Sequence, residues 1–170
     1  MYKFKYHCYH FFLLHEQMHD IIETTKIIQT SNVPHEHIAK TWVNNSQLLL
    51  LKYHNYYKDW LQAKDLCDSK IAEVVNDFFD IIHEQWADID KFRNEIISHA
   101  FATTVGSSLT RKQSIFSTGS WINYEIPVES NDYVRLYFHI KNITLFLKDQ
   151  FPIYWYEFEH KLFPVFPLEL

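Results

Sequence analysis

Residues 69–101 read SKIAEVVNDFFDIIHEQWADIDKFRNEIISHAF. Ile71, Val75, Phe78, Ile82, Trp86, Ile89, Phe92 and Ile96 recur at steps of three, four or so, the period that brings side chains onto one face of an α-helix. Asp68 or Ser69 stands where an N-cap belongs, its side-chain oxygen suited to the unpaired N–H groups of a first turn. The spacing predicts one helix from this cap to Phe101.

The same period extends upstream. Phe11, Leu14, Met18, Ile21, Thr25 and Ile28 predict a first helix over about 5–29, ended by Thr30, Ser31 and Asn32. Pro34 sits where a first-turn proline is tolerated. Ile38, Trp42, Leu49, Tyr53, Tyr56 and Trp60 then predict a second helix over about 34–66, and the run Leu48, Leu49, Leu50 and Leu51 points to burial on more than one side. Downstream the texture changes: both glycines of the chain, Gly106 and Gly119, fall in a Ser- and Thr-rich stretch without helical period. A long loop or a small hairpin is expected over about 102–130, with strands at 113–117 and 121–128 and Pro127 confining the second to a sheet edge. Ser130 or Asn131 can cap a last helix through Tyr133, Leu136, Ile140, Ile143 or Thr144, and Leu147, kinked or ended near Pro152. Residues 163–170, with two prolines, are expected as an extended tail. The fold class is all-α: a single domain over 1–170, a bundle of four to five helices with an irregular or β-hairpin insert before the last long helix.

Composition supports that class and narrows the function. A hydrophobic fraction of 47%, 18% aromatic residues and only two glycines exclude a disordered chain and argue against a glycine-looped nucleotide fold or a β-sandwich. Two cysteines, Cys8 and Cys67, cannot make a disulfide framework or a four-thiolate zinc site and fit a reducing compartment. No signal-like apolar stretch opens the sequence and no run approaches the roughly 20 residues of a membrane-spanning helix, so a cytoplasmic protein without membrane contact is expected. A net charge of −5 argues against a surface coated in positive charge for bulk nucleic-acid binding, while leaving room for one basic pocket.

Two patterns carry chemistry. The string His15-Glu16-Gln17-Met18-His19 puts two imidazoles one helical turn apart with a glutamate between, the arrangement that holds Zn²⁺ and activates its water. It lacks a third ligand and a preceding scaffold. The plainer reading is structural, with His15 and His19 flanking the core between Leu14, Met18 and Ile21. The stronger pattern ends the quoted stretch: Arg93 offers a permanent fork of donors for phosphate oxygens, and His99 an imidazole that moves protons near neutral pH. The two lie on opposite sides of the Ile89, Phe92 and Ile96 seam. Two copies packed seam to seam would bring both pairs to one cleft.

Phe92-Arg93-Asn94-Glu95-Ile96-Ile97-Ser98-His99 resembles the signature of the HEPN (higher eukaryotes and prokaryotes nucleotide-binding) domains: an arginine, four to six residues that often begin with a polar one, then a histidine late in a helical bundle. The resemblance implies a small helical homodimer and a metal-independent ribonuclease, used as a toxin or anti-phage effector and paired with an antitoxin protein. It implies Arg93 and His99 as the catalytic pair and Asn94 as their polar support. Where many toxin members carry a tyrosine two residues after the histidine, this chain has Phe101. Spacing alone adds Glu95, one turn before His99, as a group to orient its ring. Arg111 and Lys112, an adjacent basic pair in the insert, are placed to meet RNA phosphates. The leading expectation is an endoribonuclease without cofactor. The alternative is a non-catalytic helical module that binds a nucleotide or a protein, and a zinc hydrolase at His15, Glu16 and His19 is the third reading.

Overall fold

The structure is a computed structural model that describes residues 2–92, 125–127 and 129–162. Among the described residues it is all-α, with no strand. Four long helices carry it: α1 (Tyr2–Thr30), α2 (His35–Ala63), α3 (Ser69–Gln85) and, numbered in chain order after the short α4 (Ile89–Phe92), α5 (Ser130–Gln150). A 3₁₀ turn (Lys64–Leu66) joins α2 to α3. The short α6 (Pro152–Glu157) runs into a π-helical turn (Phe158–Leu162).

Paired contacts give the directions. His7 meets Asp59 and Thr25 meets Asn45, so α1 and α2 run antiparallel. Asn76 meets Trp60 and His83 meets Tyr53, so α3 runs antiparallel to α2. Tyr133 packs on Trp42 and Thr144 on Tyr56, so α5 runs parallel to α2. The result is an up-down-up-down bundle of the kind that helices with one apolar stripe build when joined end to end.

Its centre is aromatic. Phe79 of α3 lies among Tyr53, Tyr56, Tyr57 and Trp60 of α2, with ring centroids 4.9–6.5 Å apart, and Phe11 of α1 closes the other side of Tyr56 at 5.0 Å. The polar edges of these rings are satisfied inside. Trp60 Nε1 donates to Asn76 (2.9 Å), and Tyr56 donates to Thr144 Oγ1 (2.9 Å), which donates in turn to the Ile140 carbonyl. Burial holds the Tyr56 phenol well above its ordinary pKa, so it remains a donor.

Pro152 ends α5 rather than kinking it. The helix stops at Gln150, and the proline takes the first turn of α6, where its missing N–H costs nothing. That element docks on α1 through Phe4 against Phe151 and Phe12 against Trp155 and Phe158. Glu157 completes the contact, ion-paired with Lys5 and accepting from Tyr9 Oη at 2.6 Å. These partners pull its carboxyl down to about 2.

Two boundaries and the burial of one residue differ from the sequence reading. The helix predicted to reach Phe101 stops at Gln85: Trp86 takes a non-helical backbone (φ −137°, ψ 74°), 87–88 form a turn, and α4 restarts at Ile89. The apolar period survives this break because Trp86 and Ile89 both reach the core, so periodicity alone hid it. Asp88, a residue that competes with helix interiors and favours their starts, marks the restart. Helix α5 is preceded by Glu129, whose N–H donates to Asp132 (3.1 Å), in place of a cap at Ser130 or Asn131. His15, expected to flank the core, is buried at 7% exposure. The strand candidates at 113–117 and 121–128 lie outside the described residues except at 125–127, which are neither helix nor strand. The tail 163–170 also lies outside them.

Because Phe79 is 2% exposed and shared by four rings of α2, Phe79→Ala is expected to cost about 3–5 kcal/mol of unfolding free energy. Urea unfolding followed by far-ultraviolet circular dichroism measures this. A loss under about 1 kcal/mol would mean that the aromatic centre is not the main support of the bundle.

Candidate functional site

Helix α3 is shorter than the helices it packs beside. At 1.5 Å per residue its 17 residues reach about 26 Å, against about 44 Å for the 29 residues of α2, so it ends part-way along α2 near Tyr53. There the chain turns through Asp88 and α4 and enters the 93–124 segment. It comes back at the same place. The Asp88 N–H donates to the Glu125 carbonyl (3.1 Å), and the Glu125 N–H donates to Asp88 Oδ2 (3.1 Å), a two-bond clasp. Ile89 on the way out and Ile126 on the way back are both buried, so each end is also held by apolar packing.

Beside this clasp three helices bring polar side chains together. His54 of α2 is 2% exposed, and its Nδ1 lies 2.8 Å from Asp90 Oδ1 of α4. With the carboxylate ionised, Nδ1 carries the proton and donates, a charge-assisted bond worth about 1.5–3 kcal/mol. His54 Nε2 is buried with no partner, and a dry unpaired polar atom costs about 1–3 kcal/mol. The other Asp90 oxygen is 3.8 Å from His83 Nε2 of α3, which is 3.0 Å from Tyr53 Oη. Burial first, then the Asp90 charge, hold the Tyr53 phenol well above its ordinary value, so the hydroxyl keeps its proton in its contact with His83 Nε2. Tyr57 stands edge-on to the His83 ring at 4.6 Å, its phenol raised by burial and by Asp90 and Asp80. His83 and Asp90 keep side-chain exposures of 26% and 33%, so the group opens outward through them while His54 stays sealed behind.

The residues singled out in the sequence as catalytic or RNA-contacting, Arg93, Asn94, Glu95, His99, Arg111 and Lys112, lie outside the described residues. All of them fall between α4 and Glu125, in the segment whose two ends the clasp joins. His54, His83, Asp90 and Tyr53 were not singled out by the sequence. Asp90 stood within the quoted stretch without a partner, and His54 falls among Lys52, Asn55 and Lys58, so no local pattern set it apart as a buried polar residue.

The His15 to His19 string forms a seam between α1 and α5. His15 Nδ1 is 3.1 Å from Glu16 Oε1, its Nε2 is 3.3 Å from Tyr137 Oη, and its ring stacks on Tyr137 at 5.5 Å. Lys148 stands 4.0 Å from Glu16 and 3.3 Å over the Trp155 ring, a cation–π contact that continues the seam toward α6. The His15 bond lowers the Glu16 carboxyl, and burial lowers the Lys148 ammonium. His19 faces outward beside Asp20 at 3.7 Å. Both ring nitrogens of His15 thus meet side chains of the protein, and no three His, Cys, Asp or Glu side chains among the described residues are arranged to hold a metal ion.

Compared with known proteins, the chain matches no family model, no curated protein and no solved structure. No described helix is long and apolar enough to cross a membrane.

If the seam is structural, the purified protein retains no stoichiometric Zn²⁺, and His15→Ala lowers the melting temperature equally with and without added zinc. One tightly held zinc per chain, lost in both His15→Ala and His19→Ala, would restore the hydrolase reading.

Proposed function

We propose that this chain is a metal-independent endoribonuclease of HEPN-like design, working as a homodimer. The observation that carries the reading is the coincidence of the Arg93 to His99 motif with the all-α bundle, at the point where α4 leads out of it. In this reading His99 takes the proton of a ribose 2′-hydroxyl as its oxygen attacks the adjacent phosphorus. The P–O5′ bond breaks, the 5′-oxygen takes a proton from water, and a 2′,3′-cyclic phosphate remains. Arg93 stabilises the charge that gathers on the equatorial oxygens, an interaction stronger in the transition state than in the ground state. Asn94 and Glu95 support the pair, and Arg111 and Lys112 hold flanking phosphates. An antitoxin protein that covers this cleft is the partner class that the resemblance implies.

The net charge of −5 and Phe101 favour a second reading, in which the same segment binds a nucleotide or a protein without turnover.

Incubation with mixed cellular RNA in excess EDTA decides between them. The wild type is expected to give fragments with cyclic phosphate ends, and Arg93→Ala and His99→Ala are each expected to lose about 100-fold or more in rate while remaining folded. Intact RNA, or equal cleavage by the variants, would contradict the ribonuclease assignment, and nucleotide-dependent tryptophan fluorescence without cleavage would support the binding module.

A further inference from the structure

Toward the end of the bundle that carries the turn between α1 and α2, a cavity lies among α1, α2 and α5. Thr25, Asn45, Ser46 and Tyr133 line it together with the apolar side chains of Ile22 and Leu49. The centre of a water molecule can range over about 10 Å³ of this space. A sphere of that volume is about 2.7 Å across, no wider than the spacing of two hydrogen-bonded oxygens, so the cavity admits one water and not two. Ser46 is 9% exposed, and its Oγ is buried with no hydrogen-bond partner. Tyr133 faces it from α5. Burial raises the Tyr133 phenol to about 12 and the Ser46 hydroxyl acts against that rise, so the two groups feel each other across the cavity without closing a direct bond.

Helices α2 and α5 are already tied at one other level, where Tyr56 donates to Thr144. Ser46 stands ten residues before Tyr56 and Tyr133 eleven before Thr144. In a parallel pair this brings both hydroxyls to the same height, about 15 Å along from that bond. On its other side α2 reaches α1 through Asn45, which donates to Thr25 Oγ1 at 2.7 Å, and Thr25 donates in turn to the Ile21 carbonyl at 2.6 Å.

We propose that this cavity is a binding site for a single water molecule that bridges Ser46 Oγ of α2 to Tyr133 Oη of α5. Water accepts from the phenol and donates to the Ser46 oxygen, so neither hydroxyl is left alone in the core. Thr25 Oγ1, which keeps a lone pair after accepting from Asn45, is a further polar group on the wall. The bridge is a second polar tie between α2 and α5, and with the Asn45 bond it joins three helices at one level. The site is independent of the ribonuclease reading.

A crystal structure of the full chain at a resolution that shows ordered water is expected to place one oxygen within about 2.5–3.0 Å of both Ser46 Oγ and Tyr133 Oη. In solution, oxygen-17 magnetic relaxation dispersion is expected to count one fewer long-lived internal water in a variant carrying both Ser46→Ala and Tyr133→Phe than in the wild type, because both ends of the bridge are gone. Urea unfolding is expected to show that each single change lowers the ratio of folded to unfolded protein about fivefold and that the double change lowers it little further, since either loss removes the same bridge. No ordered oxygen between the two groups, a direct bond from Tyr133 to Ser46, an equal water count in wild type and double variant, or additive losses would each overturn the proposal. Should Tyr133→Phe fail to fold, Ser46→Ala alone carries the water count.

Discussion

The packing of Phe79 among the rings of α2 is the contact on which the rest of the molecule depends. It fixes α3 against α2 over the lower part of the bundle, and the length of α3 then decides where the chain must leave. An aromatic centre of this kind is large in buried area but specific in geometry, because each ring with a polar edge needs an internal partner. Asn76 and Thr144 meet that need, and in doing so they set the register of α3 and α5 on α2. The register in turn places His83 opposite Tyr53 and brings Asp90 to His54.

Under the ribonuclease proposal, stability and chemistry fall to two parts of one chain. The four long helices bury most of the apolar surface and pair most of their own polar groups. The segment that carries Arg93 and His99 is attached to them at one root, by two hydrogen bonds, two buried isoleucines and the His54–Asp90 bond. Functional side chains borne on a connection between rigid elements are a common arrangement, because the scaffold can be stable while the connection meets a substrate. The polar cluster at the root includes one buried atom without a hydrogen bond, His54 Nε2, and Gln17, Ser46 and Asp59 supply others elsewhere in the bundle.

The all-α class and the four long helices were legible because apolar residues repeat with period 3.6 over long runs, as in Ile71, Val75, Phe78 and Ile82. The break at Trp86 was not, because a two-residue turn that keeps Trp86 and Ile89 on the core side preserves the same spacing. Nor was the root of the site. His54 and Asp90 are 36 residues apart and His15 and Tyr137 are 122 apart, and pairings over such separations are set by how helices pack, not by any local pattern. The string from His15 to His19 shows the converse case: a spacing that suits zinc also suits a helix whose histidine is stacked on a neighbour's tyrosine.

The central claim is that the segment bearing the motif leaves and re-enters the bundle at a single root, and a cross-link tests it most directly. In a Cys67→Ser background, Asp88→Cys and Glu125→Cys are introduced together and the protein is mildly oxidised without denaturant. The account predicts a disulfide between positions 88 and 125, unchanged helical circular dichroism and a stabilisation of about 2–4 kcal/mol from closing a loop of this length. Thiols that stay free in the folded protein, or a disulfide that forms only with loss of helix, would contradict it.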